Sequence, residues 1–521
     1  MMSFLKTFGY AVLSGSLLAL AFPGYHLFPL AWVALVPVLV RTWTMPARSA
    51  AVQFFVTGVA FYLVLLQWLM ANVYWAGGWA FLGYVALSCI MALFWAVVGW
   101  AWIRIRDTIP RSPSALVLAV LWGAMEHVQS FAFTGFGWGA LGYSQGLDLP
   151  LLQWAAFGGV SLISLFLILS NALITGAIAE SKRRLPRLGG VLALLIVTHA
   201  GGWPLIGQAQ YADPPYNVGL LQADFPLEMK WDPEYTVDMV QNAAAKSRML
   251  AQNAPVDLFV WPESLVMDDI DSPPIYREVQ SLVLDTEAAL LAGTHRTDSD
   301  TGGSLNSSHL VAPDGTLVDS YDKIHLAPFG EYVPLSEYLP FISKVVPAIG
   351  DIQAGTIQKI LKTGDRTIGP LICFEVLFAP MSAHLRAEGA DLLVVMTNLG
   401  WFGASSSLEQ ELEIARVRAV ETRLPVAHCA NTGITGMFDP WGRFTLVDTY
   451  FDGRGNMYRL GDVDAAETRM HRLGGVLPAA LPASHPFPPG PLLVPNVLLG
   501  IVSLLAGWAA IQSFRGSIKK V

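Results

Sequence analysis

The chain has 521 residues, 53% of them hydrophobic and only 14% charged, and carries a formal net charge of −8. A soluble domain carries about 25% charged residues, so the deficit argues against a wholly soluble protein and for membrane spans. A net negative chain without a basic stripe also argues against a nucleic-acid partner.

The deficit is uneven along the chain. Charge is scarce over residues 1–205, ordinary over 212–472, and absent from an apolar run near the end. A hydrocarbon core of roughly 30 Å needs about 20 helical residues. The apolar runs predict spans at 8–22, 27–40, 52–71, 79–103, 114–127, 155–179, 188–205 and 492–514. The pair within 8–40, broken by "FPGYHLFP", reads as two tilted spans or a hairpin. A cleaved signal peptide fits poorly, because no A-x-A-type site is followed by polar sequence.

Orientation follows from the lysines and arginines. Lys6, Arg41, Arg48, Arg104, Arg106, Arg111, Lys182, Arg183, Arg184, Arg187, Arg515, Lys519 and Lys520 all fall in the loops or tails on one side of the predicted spans. The alternate loops, "NVYWAGGWA" and residues 127–154, contain neither residue. That pattern places the N-terminus in the cytoplasm and residues 212–490 outside it. The expected organisation is a membrane domain at 1–211 with about seven spans and an exported domain at 212–473. A linker with six prolines at 474–491 and a last span with its cytoplasmic tail at 492–521 follow.

Over the exported part, strand-like and helical runs alternate. "YNVGLLQADF" predicts a strand, 233–252 a helix, "VDLFVWPES" a strand, 274–288 a helix and "ALLAGTHR" a strand. "SSHLVAPDGTLVDSYDK" predicts a hairpin turning at Asp314-Gly315. "IGPLICFE", "DLLVVMTN" and "PVAHCANTG" are buried strands, with a helix at 408–423. Alternation with hairpins predicts a layered α/β domain.

Three polar groups follow apolar strands or a hairpin: Glu263 in "FVWPES", Lys323 in "SYDKIHLAPFGEYVP" and Cys373 in "LICFE". A carboxylate can take a proton from a thiol, and an ammonium can steady both the thiolate and an oxyanion. Taken singly each has a bland reading: a core cysteine, a capping glutamate, a solvated lysine. Three cysteines are too few for a disulfide framework, and a lone thiol in an oxidising compartment is either buried or used. His325 and His428 leave a Cys-His dyad open as a rival. The histidines show no metal-ligand spacing, no phosphate-loop pattern occurs, and no cofactor is implied.

The set "WPE", "DKIHLAPFGEYVP" and "ICFE" resembles the nitrilase superfamily, whose Glu-Lys-Cys triad sits in an αββα sandwich. With spans on both sides, "KW" at 230–231, "HLAPFGEYVP" and "NLGWFG", the chain is similar throughout to the apolipoprotein N-acyltransferase family. The resemblance implies Glu263 as base, Lys323 as the oxyanion lysine and Cys373 as nucleophile. It implies supporting roles for Glu331, Glu375, Trp231 and Trp401, and acyl transfer from a phospholipid to a diacylated apolipoprotein by a monomer in the bacterial inner membrane. Two departures stand out: Phe374 where the family often has Tyr, and Asn398-Leu399-Gly400 where it often has Asn-Asp-Ala.

Between Glu331 and Asp351 the apolar, proline-punctuated "EYVPLSEYLPFISKVVPAIGD" has no strand or helix period. A loop of that length is usually functional or disordered. It reads either as an arm that dips Leu339, Phe341, Val345 and Val346 into lipid or as an insertion packed on the domain's own core. Two further readings remain from the residues: a membrane-anchored amidase acting on a small amide, and a transporter with a regulatory exported domain. The near absence of ionisable residues in the spans speaks against the transporter. Glu126-His127, close to the end of the fifth predicted span, fits either a functional or an interfacial position.

Overall fold

The computed structural model describes residues 2–108, 114–332, 352–447, 449–451, 457–459, 471–482, 497 and 500–502. They form two compact units, one built mainly on residues 1–207 and the other on residues 208–486.

The first unit is helical: α1 (Met2–Ala19), α2 (Val36–Thr42), α3 (Ala47–Leu65), a single turn α4 (Val73–Ala76), α5 (Gly78–Thr108), α6 (Ser114–Gln129), a second single turn α7 (Leu149–Leu152), α8 (Ala155–Ala179) and α9 (Arg184–Gly202). Among the described residues four stretches are long and apolar enough to cross a membrane: α3, α5, α8 and Ser181–Leu205, which contains α9. Residues 27–40 do not form one helix. A 3-10 turn at Phe28–Trp32 precedes α2, and two prolines, Pro29 and Pro37, withhold backbone N–H groups there. Asn171 of α8 meets the backbone groups that the break frees. Its Oδ1 accepts from Leu35 N at 2.8 Å, and its Nδ2 donates to Ala31 O at 2.8 Å. Unmet backbone groups are costly in apolar surroundings.

Small residues let the helices approach. A Cβ on Gly58 of α3 would come within 2.9 Å of Ala92 Cβ on α5. Aromatic rings fill the next layer: Phe61 stacks on Trp95 at 5.0 Å, and Trp95 meets Trp122 of α6 edge-on at 4.6 Å. Glu126 is a clamp in this packing, accepting from Trp122 Nε1 at 3.0 Å and from Leu141 N at 2.9 Å. Of the predicted span at 492–514, only Val497 and residues 500–502 are described; they are helical, and Val502 packs on Val120 and Ala124.

The second unit opens with β1 (Asn217–Leu221), the turn α10 (Leu227–Lys230), α11 (Thr236–Asn253), β2 (Leu258–Val266), α12 (Pro273–Thr286) and β3 (Ala289–Thr297). The hairpin β4 (Ser304–Val311) and β5 (Leu317–Asp322) follows, with Gly315 at φ 86° in its turn. Then come β6 (Ile352–Gln353), β7 (Leu361–Thr363), β8 (Arg366–Ile372), α13 (Ala379–Ala387), β9 (Leu392–Thr397), α14 (Ser407–Thr422) and β10 (Val426–Ala430). The short strands β11 (Gly436–Phe438), β12 (Phe444–Leu446), β13 (Thr449–Phe451) and β14 (Met457–Arg459) lead to β15 (His471–Pro478).

Two sheets result. One has the order β14-β13-β15-β1-β2-β3-β4-β5, with β6 also on β4, and the other has the order β12-β11-β10-β9-β8-β7. β1, β2 and β3 run parallel, as do β8, β9 and β10. The period-2 alternation of strands sorts their side chains into two cores. Val218, Leu220, Leu258 and Val260 join Ile368, Ile372, Val394, Met396 and Cys429 between the sheets. Phe259, Trp261 and Leu290 face outward, against Met239, Val240, Ala243, Val279 and Leu282 of α11 and α12. The second sheet is covered by α13 and α14: Gly369 of β8 approaches Leu385 of α13 so closely that a Cβ would lie 3.1 Å from it. The layers are therefore αββα. Residues 474–478, expected at the start of a linker, belong to β15, which pairs with β1 from Asn217↔Pro478 to Leu221↔Gly474.

Candidate active site

Each site residue sits where an element ends or breaks. β2 loses its register with β3 between Trp261 and Val266. Glu263 lies in that irregular stretch, next to Ser264 at φ +50°. Lys323 directly follows β5, and Glu331 lies eight residues further on. Cys373 follows the last residue of β8 and opens a 3-10 turn, Cys373–Leu377. Its own φ of +51° is in the left-handed region, which costs a non-glycine residue about 1 kcal/mol or more.

Glu263, Lys323 and Glu331 form one buried cluster. The Lys323 ammonium lies 2.9 Å from Glu331 Oε2 and 3.3 Å from Glu263 Oε1. Asn306 of β4 donates from a single amide nitrogen to both acids, at 2.9 Å to Glu263 Oε1 and 2.9 Å to Glu331 Oε1. An amide NH₂ has two hydrogens, so each acid receives one. Glu331 Oε2 also accepts from Ala327 N at 2.8 Å. Burial pulls the Lys323 ammonium down, but the Glu331 and Glu263 charges overcome this and hold it well above the usual lysine range. Burial pushes Glu331 up, yet Lys323, the Ala327 N–H and Asn306 keep it below the usual carboxylate range. Glu331 is thus an anion and Lys323 a cation.

The Cys373 thiol is pushed well above its usual value, first by burial and then by the charges of Glu263 and Glu411, against the pull of Lys323 and of a Thr397 hydrogen bond. The resting group is a thiol. Forming a thiolate there would need a neighbouring base.

Glu375 is fully buried and works through the backbone. Its Oε1 accepts from Tyr321 Oη at 2.7 Å, Ile324 N at 2.8 Å and His325 N at 3.1 Å, and its Oε2 accepts from Ile372 N at 2.8 Å. One carboxylate therefore ties the chain after Lys323 to the chain before Cys373. Trp231 lies 5.7 Å from Trp401 and 6.3 Å from His295, ring to ring. The His325 ring packs at 3.6 Å on Phe378 and 6.1 Å from Phe374. His428 Nδ1 meets Ile434 O at 2.8 Å. Phe341, with Leu339, Val345 and Val346, lies outside the described residues.

Residues beyond the sequence reading complete the site. Asn306 lies just before the stretch read as a hairpin and drew no reading of its own. Lys230 stood in the quoted "KW" without a role. Its buried ammonium donates to Glu263 O at 3.0 Å, and burial pulls it down to about 7. Thr397 and Glu411 back the thiol from β9 and α14.

A partly buried thiol, two acids and a lysine at strand ends of a two-sheet αββα unit define a class, the carbon–nitrogen hydrolase fold. Residues 217–466 match the family model described as Carbon-nitrogen hydrolase. Among solved structures the chain is similar to Nit3 of Saccharomyces cerevisiae, of the nitrilase superfamily, at 18% identity and a TM-score of 0.36, covering 44% of this chain and 84% of that one. Residues 14–173 match the family model of the Apolipoprotein N-acyltransferase N-terminal domain. The chain is 37% identical over 456 residues to an apolipoprotein N-acyltransferase of Geobacter metallireducens, covering 85% of this chain and 87% of that protein. It is 34% identical over 452 residues to one of Azotobacter vinelandii, covering 84% and 85%. The chain belongs to the apolipoprotein N-acyltransferase family.

Proposed function

We propose that this protein transfers a fatty acyl chain from the sn-1 position of a phospholipid such as phosphatidylethanolamine to the α-amine of a diacylglyceryl-cysteine at a lipoprotein N-terminus, through a thioester on Cys373. The observation that carries this reading is the Glu263–Lys323–Glu331 cluster, bridged by Asn306 beside a thiol that is protonated at rest.

In the first half, Glu263 takes the Cys373 proton as sulfur bonds to the ester carbonyl carbon. The carbonyl oxygen becomes an oxyanion, and the Lys323 ammonium stabilises it. Collapse breaks the ester C–O bond, and the lysophospholipid alkoxide leaves with the proton held by Glu263. In the second half, the neutral amine attacks the thioester carbonyl. Glu263 receives its proton, the C–S bond breaks, and the proton returns to sulfur. Glu331 fixes Lys323 throughout, Glu375 fixes the spacing between the Lys323 and Cys373 segments, and Trp231 and Trp401 wall the approach.

The same reading places the protein in a bacterial cytoplasmic membrane, as a monomer with about eight spans and its catalytic domain outside. The lysine and arginine distribution supports that orientation, and both lipid substrates are met at that face. The test is intact-protein mass spectrometry after purification from membranes. A fatty acyl adduct on Cys373, lost in Cys373→Ala together with all conversion of diacylated to triacylated lipoprotein, is the expected result. Conversion by Cys373→Ala overturns the assignment, and an adduct released by water rather than amine makes the protein a hydrolase.

A further inference from the structure

Next to Cys373 lies a second set of buried polar groups, on β9, β10 and α14. In the parallel β8–β9 ladder Ile372 pairs with Met396, so the next residues along, Cys373 and Thr397, are also neighbours. The Thr397 hydroxyl is among the groups that pull the Cys373 thiol down, as that register allows. Its oxygen also lies 3.1 Å from both carboxyl oxygens of Glu411 on α14. Glu411 is 1% exposed and Thr397 is fully buried. His428 Nε2, from β10, points at Glu411 Oε2 from 3.9 Å and has no hydrogen bond of its own.

We propose that Glu411 is a positioning residue for the nucleophile: its carboxyl decides, through the Thr397 hydroxyl, whether a hydrogen is given to Cys373 sulfur or taken from it. The reason is that a hydroxyl carries one hydrogen. When Glu411 is ionised, that hydrogen goes to the carboxylate, and Thr397 can only accept from the S–H. The thiol form is then favoured. When Glu411 is protonated, its own hydrogen goes to the Thr397 oxygen, and the Thr397 hydrogen turns to sulfur. The thiolate form is then favoured, and no second anion stands beside Glu263.

The surroundings set which state prevails. Burial pushes Glu411 up to about 8; Thr397 opposes, the Glu263 charge adds, and Lys323 opposes. His428 is pulled down to about 4 by burial, so the imidazole facing Glu411 is neutral. At neutral pH the carboxyl is protonated and the relay is set for attack. Raising the pH through about 8 reverses it.

The inference rests on Cys373 as nucleophile and is separable from it. The full-length enzyme in detergent is treated with iodoacetamide from pH 6 to 10, and alkylation of Cys373 is followed by peptide mass spectrometry, apart from Cys89 and Cys429. Because the thiol is held well above its usual value, its rate should rise about tenfold per pH unit, a protonated thiol far below its own midpoint. In the wild type that rise flattens near pH 8. In Glu411→Gln the rise continues unbroken, so that at the alkaline end the variant outpaces the wild type by about tenfold, the worth of one hydrogen bond to a charged group. In a Thr397→Val background Glu411→Gln keeps only the smaller effect of the removed charge, and Thr397→Ser restores the wild-type break. Coincident profiles for wild type and Glu411→Gln, or an equal effect of Glu411→Gln in the Thr397→Val background, overturn the relay. If Cys373→Ala is meanwhile inactive, only the relay falls; if it is active, the nucleophile assignment falls instead.

Discussion

Replacing Glu375 by Gln tests whether one carboxylate holds the two halves of the site together. The carboxylate accepts four hydrogen bonds, three on Oε1 and one on Oε2. A glutamine can turn its carbonyl to the Tyr321, Ile324 and His325 donors, but its NH₂ then faces the Ile372 N–H, donor against donor. A buried donor left without an acceptor costs about 1–3 kcal/mol, and three bonds reduced from charge-assisted to neutral lose about 1 kcal/mol each. Together that is about 4–6 kcal/mol, a large share of a domain's stability. The expected consequence is a fall of roughly 10 °C in the melting temperature of the catalytic domain. The Cys373 segment also loses its tie to the Lys323 segment, and about 1 Å of misplacement costs about 100-fold in rate. Both quantities are measured on the detergent-solubilised protein, by tryptophan fluorescence on heating and by mass-spectrometric acyl-enzyme formation well below the variant's melting point. A Glu375→Gln protein that melts and acylates like the wild type refutes the clamp.

Three further outcomes are expected. Lys323→Met should slow acyl-enzyme formation by roughly 100- to 1,000-fold, the loss of one oxyanion donor; near-wild-type acylation removes Lys323 from that role. Lys230 is pulled down to about 7 in the folded protein by burial, below its unfolded value of about 10.4. The unfolded chain therefore binds the extra proton between those values, and stability rises with pH across them by up to about 1.4 kcal/mol per unit. That contribution is complete above the unfolded value and lost as pH falls through 7. Lys230→Met should flatten this part of the urea-midpoint profile, and unchanged slopes exclude a buried, depressed lysine. A periplasm-dependent reporter fused after Thr301 should be active and one fused after Arg184 inactive; the reverse pattern moves the catalytic domain to the cytoplasm.

The sequence announces what depends on local pattern. Apolar runs locate α3, α5 and α8, and Asp314-Gly315 marks the turn between β4 and β5. Glu263, Lys323 and Cys373 are visible because each interrupts or follows an apolar strand. What depends on tertiary pairing is not visible. Asn306 gains its two acids only when β4 lies beside β3 and the loop after β5 folds over it. The helix "LEQELEIARVRAVET" looks like a solvated charged face, yet Glu411, Glu413, Arg416, Arg418 and Glu421 are all buried, with ion pairs Arg416–Glu413 at 2.7 Å and Arg418–Glu421 at 2.6 Å. The strands β11 to β14 are three residues each, too short for a period-2 signal. Prolines hid β15, because its pairing partner, β1, lies at the opposite end of the domain's sequence.

That pairing has a consequence for how the enzyme comes into being. The sheet that carries Glu263 has β15 as the neighbour of its first strand, and the nucleophile strand β8 belongs to the other sheet. During synthesis the thiol emerges long before the final strand does. Until β15 arrives, the inner strand β1 keeps an open edge, and the cleft between the two sheets lacks its last border. A chain interrupted before residue 471 thus carries Cys373 while the first sheet still lacks the strand that pairs with β1.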